Sequence, residues 1–315
     1  MSIHDDTDAP SRTRIMAAFA AVYLIWGSTY LAIRFAIETL PPFLMAGVRF
    51  TLAGALLYGF LRLRGAPRPE RVHWRSAAIG GVLMLVGGNG GVTWAEQYVP
   101  SGIAALMIAT VPLWIVVLDW LRPGGVRPTP PVIIGLVLGF VGLVLLVGPG
   151  ELAGSRRINL VGGGALLVAA LLWSIGSLYS RRAPLPTKVP LQGTAMEMLV
   201  GGLVLIVLGT VTGEWARFDP AAVSLRSVLA VAYLIAFGSW IGFSSYVWLL
   251  KATAPARAAT YAYVNPVVAV FLGWLLANEP LTIRTLLAAA IIISAVVIIT
   301  RYRPRGGRPN RARRA

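Results

Sequence analysis

The sequence predicts an all-α integral membrane protein, with ten transmembrane helices arranged as two inverted five-helix repeats. Its composition supports this fold class, because hydrophobic residues make up 57% of the 315 residues and charged residues only 13%, against about 25% charged in soluble domains. Apolar runs long enough to cross a bilayer follow one another along the chain. The second half of the chain repeats the pattern of the first, as in many membrane proteins built by duplication.

Proline, glycine and arginine separate the apolar runs. Pro41-Pro42, Pro100-Ser101-Gly102 and Gly148-Pro149-Gly150 are segments that end helices. The first run begins near Ile15 after an acidic terminus that lacks the basic start of a signal peptide, so we interpret it as an uncleaved helix. The predicted spans are 15–36, 42–61, 76–96, 102–121, 131–148, 159–180, 191–212, 227–250, 258–277 and 282–300.

The two halves match at fixed offsets. Trp26 corresponds to Trp173 at an offset of 147 residues, and Gly54 corresponds to Gly202 at an offset of 148. Further matches join Pro42 to Pro190, Trp94 to Trp248, and Pro112 to Pro266. Because each half holds an odd number of spans, the second half must run inverted with respect to the first.

The distribution of Arg and Lys predicts the orientation in the inner (plasma) membrane. One set of inter-span segments, which includes both termini, holds 21 basic residues and the other set holds 5. The positive-inside rule therefore places both termini in the cytoplasm. We expect a cytoplasmic tail (1–14), a first repeat (15–150), a second repeat (158–301) and a basic tail (302–315) that anchors topology or binds anionic membrane lipid.

Several classes of protein and site are excluded by composition. The chain has no cysteine, and His4 and His73 both lie in polar flanks, so a Cys- or His-based metal site within the membrane is not expected. We find no P-loop and no catalytic Ser/His/Asp set, and we predict neither an enzyme nor a cofactor. The net charge of +16 flanks the spans instead of forming a basic domain, which argues against nucleic acid as a partner.

Ionisable residues within spans are candidates for function, because burying a charge in the bilayer is costly. Arg49 and Glu197 each lie seven residues past the proline that opens a span, about 10 Å inside opposite faces of the membrane. Arg49 either pairs with Glu96 or serves gating or substrate binding. Glu197 is protonated, paired across the halves, or a proton-coupling carboxylate. Asp119 lies one turn from Arg122, which predicts a surface ion pair.

Aromatic residues and prolines near the middle of spans suggest a cavity. Trp26 and Trp173 lie toward mid-span and are followed by hydroxyl-bearing residues, a pattern that suits an aromatic-walled site or plain helix packing. Pro112 and Pro266, the latter preceded by Asn265, are predicted to kink the fourth and ninth spans. Kinked helices at matching places in two halves are typical of transport sites, although packing curvature is the alternative.

The doubled pattern resembles a known family. Residues 92–106 (VTWAEQYVPSGIAAL), together with the NPV at 265–267 and the NEPL at 278–281, resemble the EamA branch of the drug/metabolite transporter superfamily. The resemblance covers about 15–300. It implies ten helices in an inverted five-plus-five repeat and export of small metabolites, with amino acids and toxic cations as typical substrates. Its cavity helices point to Trp26, Ser28, Tyr30, Trp94, Trp114, Trp173, Ser177, Trp248, Tyr263 and Asn265.

These observations lead to one main hypothesis and two alternatives. The main hypothesis is an exporter of small metabolites, chiefly amino acids or related amphipathic solutes, that works by alternating access. Transport is either proton-linked or downhill, and the residues expected to serve gating or coupling are Arg49, Glu96, Glu197, Pro112 and Pro266. The alternatives are a broad-specificity exporter of drugs or toxic cations and a lipid-handling membrane protein without solute flux. The sequence leaves monomer and homo-oligomer both open.

Overall fold

The computed structural model describes residues 11–99, 104, 107–125, 127–152, 160–277 and 282–301. In this part of the chain ten helical spans are present and strands are absent, as predicted. They are α1 (Arg12–Ile37), α2 (Pro42–Leu63), α3 (Arg71–Ala95), α4 (Val111–Leu121), α5 (Pro130–Leu152), α6 (Leu160–Ser180), α7 (Pro190–Val211), α8 (Leu225–Ala252), α9 (Tyr261–Ala277) and α10 (Ile283–Arg301). The predicted basic tail, the turn at 100–102 and residues 278–281 lie outside the described residues. One prediction was wrong: α5 continues through Gly148-Pro149-Gly150 to Leu152, where we expected the helix to end.

Local sequence explains where several helices begin. Pro42 and Pro190 occupy the first turns of α2 and α7, where a proline costs no helical hydrogen bond. The side chains of Ser11 and Ser224 cap α1 and α8 by accepting hydrogen bonds from backbone N–H groups of the first turn. The equivalent prolines therefore start equivalent helices in the two halves.

The helix contacts show the internal two-fold relation directly. α2 packs along α7, and α5 packs along α10. The contact of α3 with α6 is matched by that of α8 with α1, and the contact of α4 with α6 by that of α9 with α1. If the two halves are exchanged, each of these helix–helix contacts becomes the equivalent contact of the other half. The fold is thus a pair of inverted five-helix repeats whose helices interleave.

Two equivalent glycines bring α2 and α7 together at the two-fold axis. A Cβ atom on Gly54 would lie 2.5 Å from the backbone nitrogen of Leu199, and one on Gly202 would lie 2.3 Å from the backbone nitrogen of Thr51. Either distance is too short for a real Cβ contact. Glycine is therefore required on both helices for their backbones to approach this closely.

α3 and α8 each contain a run of wide, π-helical turns at matching places. The run spans Val82–Gly90 in α3 and Leu234–Phe243 in α8. Sequence analysis did not predict these turns. Wide turns occur frequently at functional sites in other helices, and here both runs border the same cavity, described below.

The fourth and ninth spans are interrupted, but the prediction for Pro112 was wrong in detail. Pro112 is the second residue of α4, which follows a turn at 109–110, so it begins a helix instead of kinking one. The first turn of a helix tolerates proline because its N–H groups have no acceptor within the helix. Pro266 does lie inside α9 as predicted, and a turn at 259–260 precedes that helix.

Candidate functional site

A cavity lies between the two repeats and is lined by helices of both. The volume of the cavity is about 70 Å³. α1, α2, α3 and α4 contribute from the first half, and α6, α8 and α9 contribute from the second. The side chains that give it chemical character are Trp26, Thr29, Tyr30, Arg49, Phe50, Asn89, Trp173, Phe243, Tyr261 and Asn265.

A cluster of four aromatic rings forms one wall of the cavity and packs behind it. Trp26 contacts Trp173 edge to face, with ring centroids 5.6 Å apart, so the two symmetry-matched tryptophans meet. Tyr261 lies 4.9 Å from Trp26, and Tyr246 lies 5.4 Å from Trp173. Edge-to-face and tilted packing of this kind stabilises a cluster beyond simple burial.

Hydrogen bonds fix the orientation of these rings. The Trp173 indole N–H donates to the Tyr246 hydroxyl over 3.2 Å, and that hydroxyl is also 2.8 Å from Ser177 Oγ. The Trp26 indole N–H donates to the carbonyl of Gly238, in the wide turns of α8, over 3.1 Å. Groups on α6 and α8 therefore orient rings from both halves, and the two tryptophans line the cavity.

Arg49 brings a buried charge to the cavity. Its side chain is 3% exposed, and Nε donates to Ser239 Oγ over 3.0 Å, while Nη1 has no hydrogen-bond partner. Among the described residues, no carboxylate lies within 4 Å of its guanidinium. Gly238 makes room for it, since a Cβ atom there would lie 2.9 Å from Nη2.

The Arg49–Glu96 pair, one of the two predicted roles, is not formed. Both carboxylate oxygens of Glu96 are buried without a hydrogen-bond partner. The cation that acts electrostatically on Glu96 is Arg34, at the end of α1. The reason is directional, because Arg49 extends toward α8 and its hydrogen bond to Ser239 holds it there.

Glu197 occupies the position in α7 equivalent to that of Arg49 in α2, but it lies outside the cavity lining. The side chain is fully buried, and Oε1 accepts a hydrogen bond from Ser180 over 2.6 Å. Oε2 has no partner. A Cβ atom on Gly80 would lie 2.6 Å from Oε1, so α3 packs directly against this carboxyl group.

Five of the predicted site and gating residues line the cavity: Trp26, Tyr30, Arg49, Trp173 and Asn265. Six predicted substrate-binding residues do not: Ser28, Trp94, Trp114, Ser177, Trp248 and Tyr263. Ser28 instead lies 2.5 Å from the Tyr233 hydroxyl, and Tyr263 donates to the Leu136 carbonyl in α5. The remaining four, Trp94, Trp114, Ser177 and Trp248, pack into or against the main core and are not part of the lining.

Helical spacing explains which of the predicted residues line the cavity and which do not. Trp26, Thr29, Tyr30 and Ile33 follow the i, i+3, i+4, i+7 pattern of a single helix face, and all four line the cavity. Ser28, two residues from Trp26, necessarily points elsewhere. The same spacing on α3 and α9 brings in residues that sequence analysis missed, namely Leu85, Gly88, Asn89, Val92 and Tyr261.

A charged cluster at one end of the bundle matches its prediction. Arg122 pairs with Asp119 over 2.5 Å at the end of α4, and Arg182 Nη2 lies 3.9 Å from the same carboxylate. Partial burial lowers the pKa of the neighbouring Arg181 below its ordinary value, while Asp119 acts in the opposite direction. The ends of α4 and α6 are thus joined by charge, remote from the cavity.

Comparison with known proteins agrees with the doubled architecture. The model of the EamA-like transporter family matches residues 13–148 and again 160–301. The uncharacterized inner membrane transporter YedA of Escherichia coli (strain K12) is 43% identical over 287 residues, which are 91% of this chain and 90% of YedA. The uncharacterized transporter YoaV of Bacillus subtilis (strain 168) is 26% identical, over 91% of this chain and 97% of YoaV.

A crystal structure of a protein 24% identical in sequence has the same fold. It matches with a TM-score of 0.74 and covers 92% of this chain and 97% of that chain. The two matched repeats, the order of the helices and the similarity to known transporters therefore support the same assignment. The chain belongs to the EamA-like transporter family and is a multi-pass inner-membrane transporter of the drug/metabolite transporter superfamily.

Proposed function

We propose that this transporter exports small metabolites, chiefly amino acids or related amphipathic solutes, and that both of its termini lie in the cytoplasm. The observation that carries the proposal is the cavity between the repeats, which combines aromatic ring faces with one buried cation. Small-molecule sites are concave and mostly apolar, with a few polar groups that orient the ligand. An amino acid with an apolar side chain offers both kinds of surface.

The charge of the cavity favours this substrate class over toxic cations. Arg49 is the one charged side chain among the described residues of the lining, and no carboxylate faces the cavity there. A cationic drug would meet a like charge in a poorly hydrated space, which raises its energy. A solute that carries a carboxylate would instead gain an opposite charge.

Alternating access fits the arrangement of the repeats. The lining comes from both halves, so a rocking motion of one half against the other would open the cavity to each side in turn. Arg49 and Glu197, at equivalent positions on the two axis helices, are the groups that such a motion would expose alternately. Glu197 and Glu96 are the candidates for proton coupling, with downhill export as the alternative.

Efflux from proteoliposomes tests the proposal. Vesicles that contain the purified protein are loaded with a panel of labelled amino acids, and release is followed with and without a pH gradient. We expect protein-dependent release of a subset enriched in aromatic and large apolar amino acids. Protein-free vesicles and vesicles with the Trp173→Ala variant serve as controls.

Two results would oppose the proposal. Release of no amino acid, from vesicles in which protease accessibility shows inserted protein in both orientations, would remove this substrate class. Release of unrelated organic cations that compete with one another would favour the broad-specificity exporter. Identical release with and without the pH gradient would remove proton coupling and leave downhill export.

A further inference from the structure

Arg49 is a buried cation without a counter-ion in the described part of the chain. Because the charge of an isolated buried guanidinium is costly, such groups are normally paired with an anion. We propose that the anion is the carboxylate of the transported solute, so that the substrates are small carboxylates with an apolar or aromatic body. This inference rests on the proposed function and narrows it from amphipathic solutes to those with a free carboxylate.

The contacts of Arg49 orient its guanidinium and leave one nitrogen atom without a hydrogen-bond partner. Ser239 holds Nε on the α8 side, and Nη1 remains without a partner. The side chain stacks on Phe50, with Cζ 4.4 Å from the ring centroid, which restricts its rotation. A planar guanidinium fixed on one edge can bind a carboxylate on the other by donating two parallel hydrogen bonds to it.

The remaining polar groups of the cavity complement an α-amino acid. Asn265 is 1% exposed, and its Oδ1 has no hydrogen-bond partner. Oδ1 of Asn89, which lines the cavity from α3, is also buried and has no hydrogen-bond partner. Amide oxygens accept hydrogen bonds from an ammonium group, and the rings of Trp26 and Trp173 would cover an aromatic side chain. Carboxylate recognition by Arg49 is the part of this arrangement that we commit to.

Calorimetric titration of the purified full-length protein in detergent tests the proposal. The probes are L-phenylalanine, which has both a carboxylate and an ammonium group, L-phenylalaninamide, which has only the ammonium group, and 3-phenylpropanoate, which has only the carboxylate. We expect the two carboxylates to bind at least about tenfold more tightly than the amide. In the Arg49→Gln variant that difference should disappear, and in Arg49→Lys a smaller difference should remain.

Further variants separate a binding role from a structural one. Arg226→Gln is the control, because Arg226 lies in α8 itself and pairs with Glu38 over 3.6 Å, outside the cavity lining. It should bind all three probes like the wild type. Ser239→Ala removes the partner of Nε and should reduce the preference for carboxylates by about threefold. Gel-filtration profiles and melting temperatures establish that each variant is folded.

The outcomes divide clearly. Amide binding as tight as acid binding, no binding of any probe by the wild type, or an unchanged preference in a folded Arg49→Gln protein would each overturn carboxylate recognition. Efflux of a neutral or cationic solute that Arg49→Gln supports as well as the wild type would overturn it too, yet leave the exporter standing. Absence of efflux for every solute tested would instead overturn the proposed function.

Discussion

Arg49 and Glu197 occupy the same position in the two repeats, five residues before the paired glycines Gly54 and Gly202, yet their surroundings differ. Arg49 opens onto a cavity and makes one hydrogen bond. Glu197 is enclosed by Ser180 and by the backbone of α3 at Gly80. Equivalent positions in an inverted repeat lie toward opposite membrane faces. The difference teaches that the cavity lies on the Arg49 side of the aromatic wall, whereas Ser180 and α3 enclose the carboxyl group on the Glu197 side.

Ties between the halves support both ends of α2. Where the chain passes from α1 to α2, the buried Glu214 accepts hydrogen bonds from the backbone nitrogens of Phe43 and Leu44. At the other end of α2, Gln192 Nε2 donates to the carbonyl of Pro67. A carboxylate at a helix N-terminus is favoured by the helix dipole. The two ends are thus held by different chemistry, a carboxyl group on the Arg49 side and an amide on the Glu197 side.

The largest expected effect comes from disrupting the close packing of α2 against α7 at the two-fold axis. Gly54→Ala or Gly202→Ala places a methyl group against the backbone of the partner helix. We expect each change to lower the free energy of unfolding by about 1–3 kcal/mol, because the helices must separate. Thermal unfolding in detergent measures the effect.

Gly59→Ala is the matched control on α2, because a Cβ atom there meets nothing within 4 Å. It should leave stability unchanged or raise it slightly through the better helix propensity of alanine. Equal destabilisation by Gly59→Ala and Gly54→Ala would show that helix propensity, and not the close approach, governs the result.

Substitution in the aromatic wall, which lies between the Arg49 side and the Glu197 side, gives the next largest effect. Trp173→Ala removes a ring that lines the cavity and contacts Trp26, so we expect binding and efflux of L-phenylalanine to fall at least about tenfold. Trp248→Ala, at a tryptophan outside the lining, should change both by no more than about twofold. Equal losses of affinity in the two folded variants would contradict the placement of the site.

Glu197→Gln sharpens the comparison between the two charged positions. Glu197 lies outside the lining, so L-phenylalanine affinity should stay within about twofold of the wild type. Under alternating access the Glu197 side would open and hydrate this group, and water stabilises a carboxylate more than an amide. Efflux should therefore slow by about fivefold. Unchanged efflux with unchanged affinity would remove Glu197 from the gating and coupling groups.

The smallest expected effect lies at the charged cluster on the bundle end. Asp119→Asn removes the partner of Arg122, but both side chains keep some exposure to solvent. We expect unfolding stability to fall by less than about 1 kcal/mol, as for surface ion pairs. The difference from the wild type should shrink further at high salt. A loss comparable to that of Gly54→Ala would show that this cluster supports the fold as strongly as the axis does.

Much of the fold could be predicted because the apolar runs and the internal repeat can both be recognised in the sequence itself. Long apolar runs give the spans, and the matched pairs Trp26–Trp173 and Gly54–Gly202 identify equivalent helices. The offset changes from 148 to 154 because the connection at 212–224 is six residues longer than the one at 64–70.

The candidate site was harder to predict because a cavity selects one face of each helix. Tyr263 and Asn265 are neighbours in sequence, yet only Asn265 faces the cavity, since residues two apart on a helix point in different directions. The partner of Arg49 was also missed, because Ser239 lies 190 residues away in the wide turns of α8. Interactions between the halves depend on how the helices of the two repeats interleave, and local sequence patterns do not predict this.

The wide turns in Val82–Gly90 and Leu234–Phe243 carry a consequence for the ancestry of the chain. A π-helical turn arises when a residue is added within an α-helix, and it rotates the rest of the helix by about 100°. Two independent insertions at matching places would be a coincidence. The simpler history is that one five-helix ancestor already had the insertion, and that gene duplication and fusion later joined two copies of it in opposite orientations.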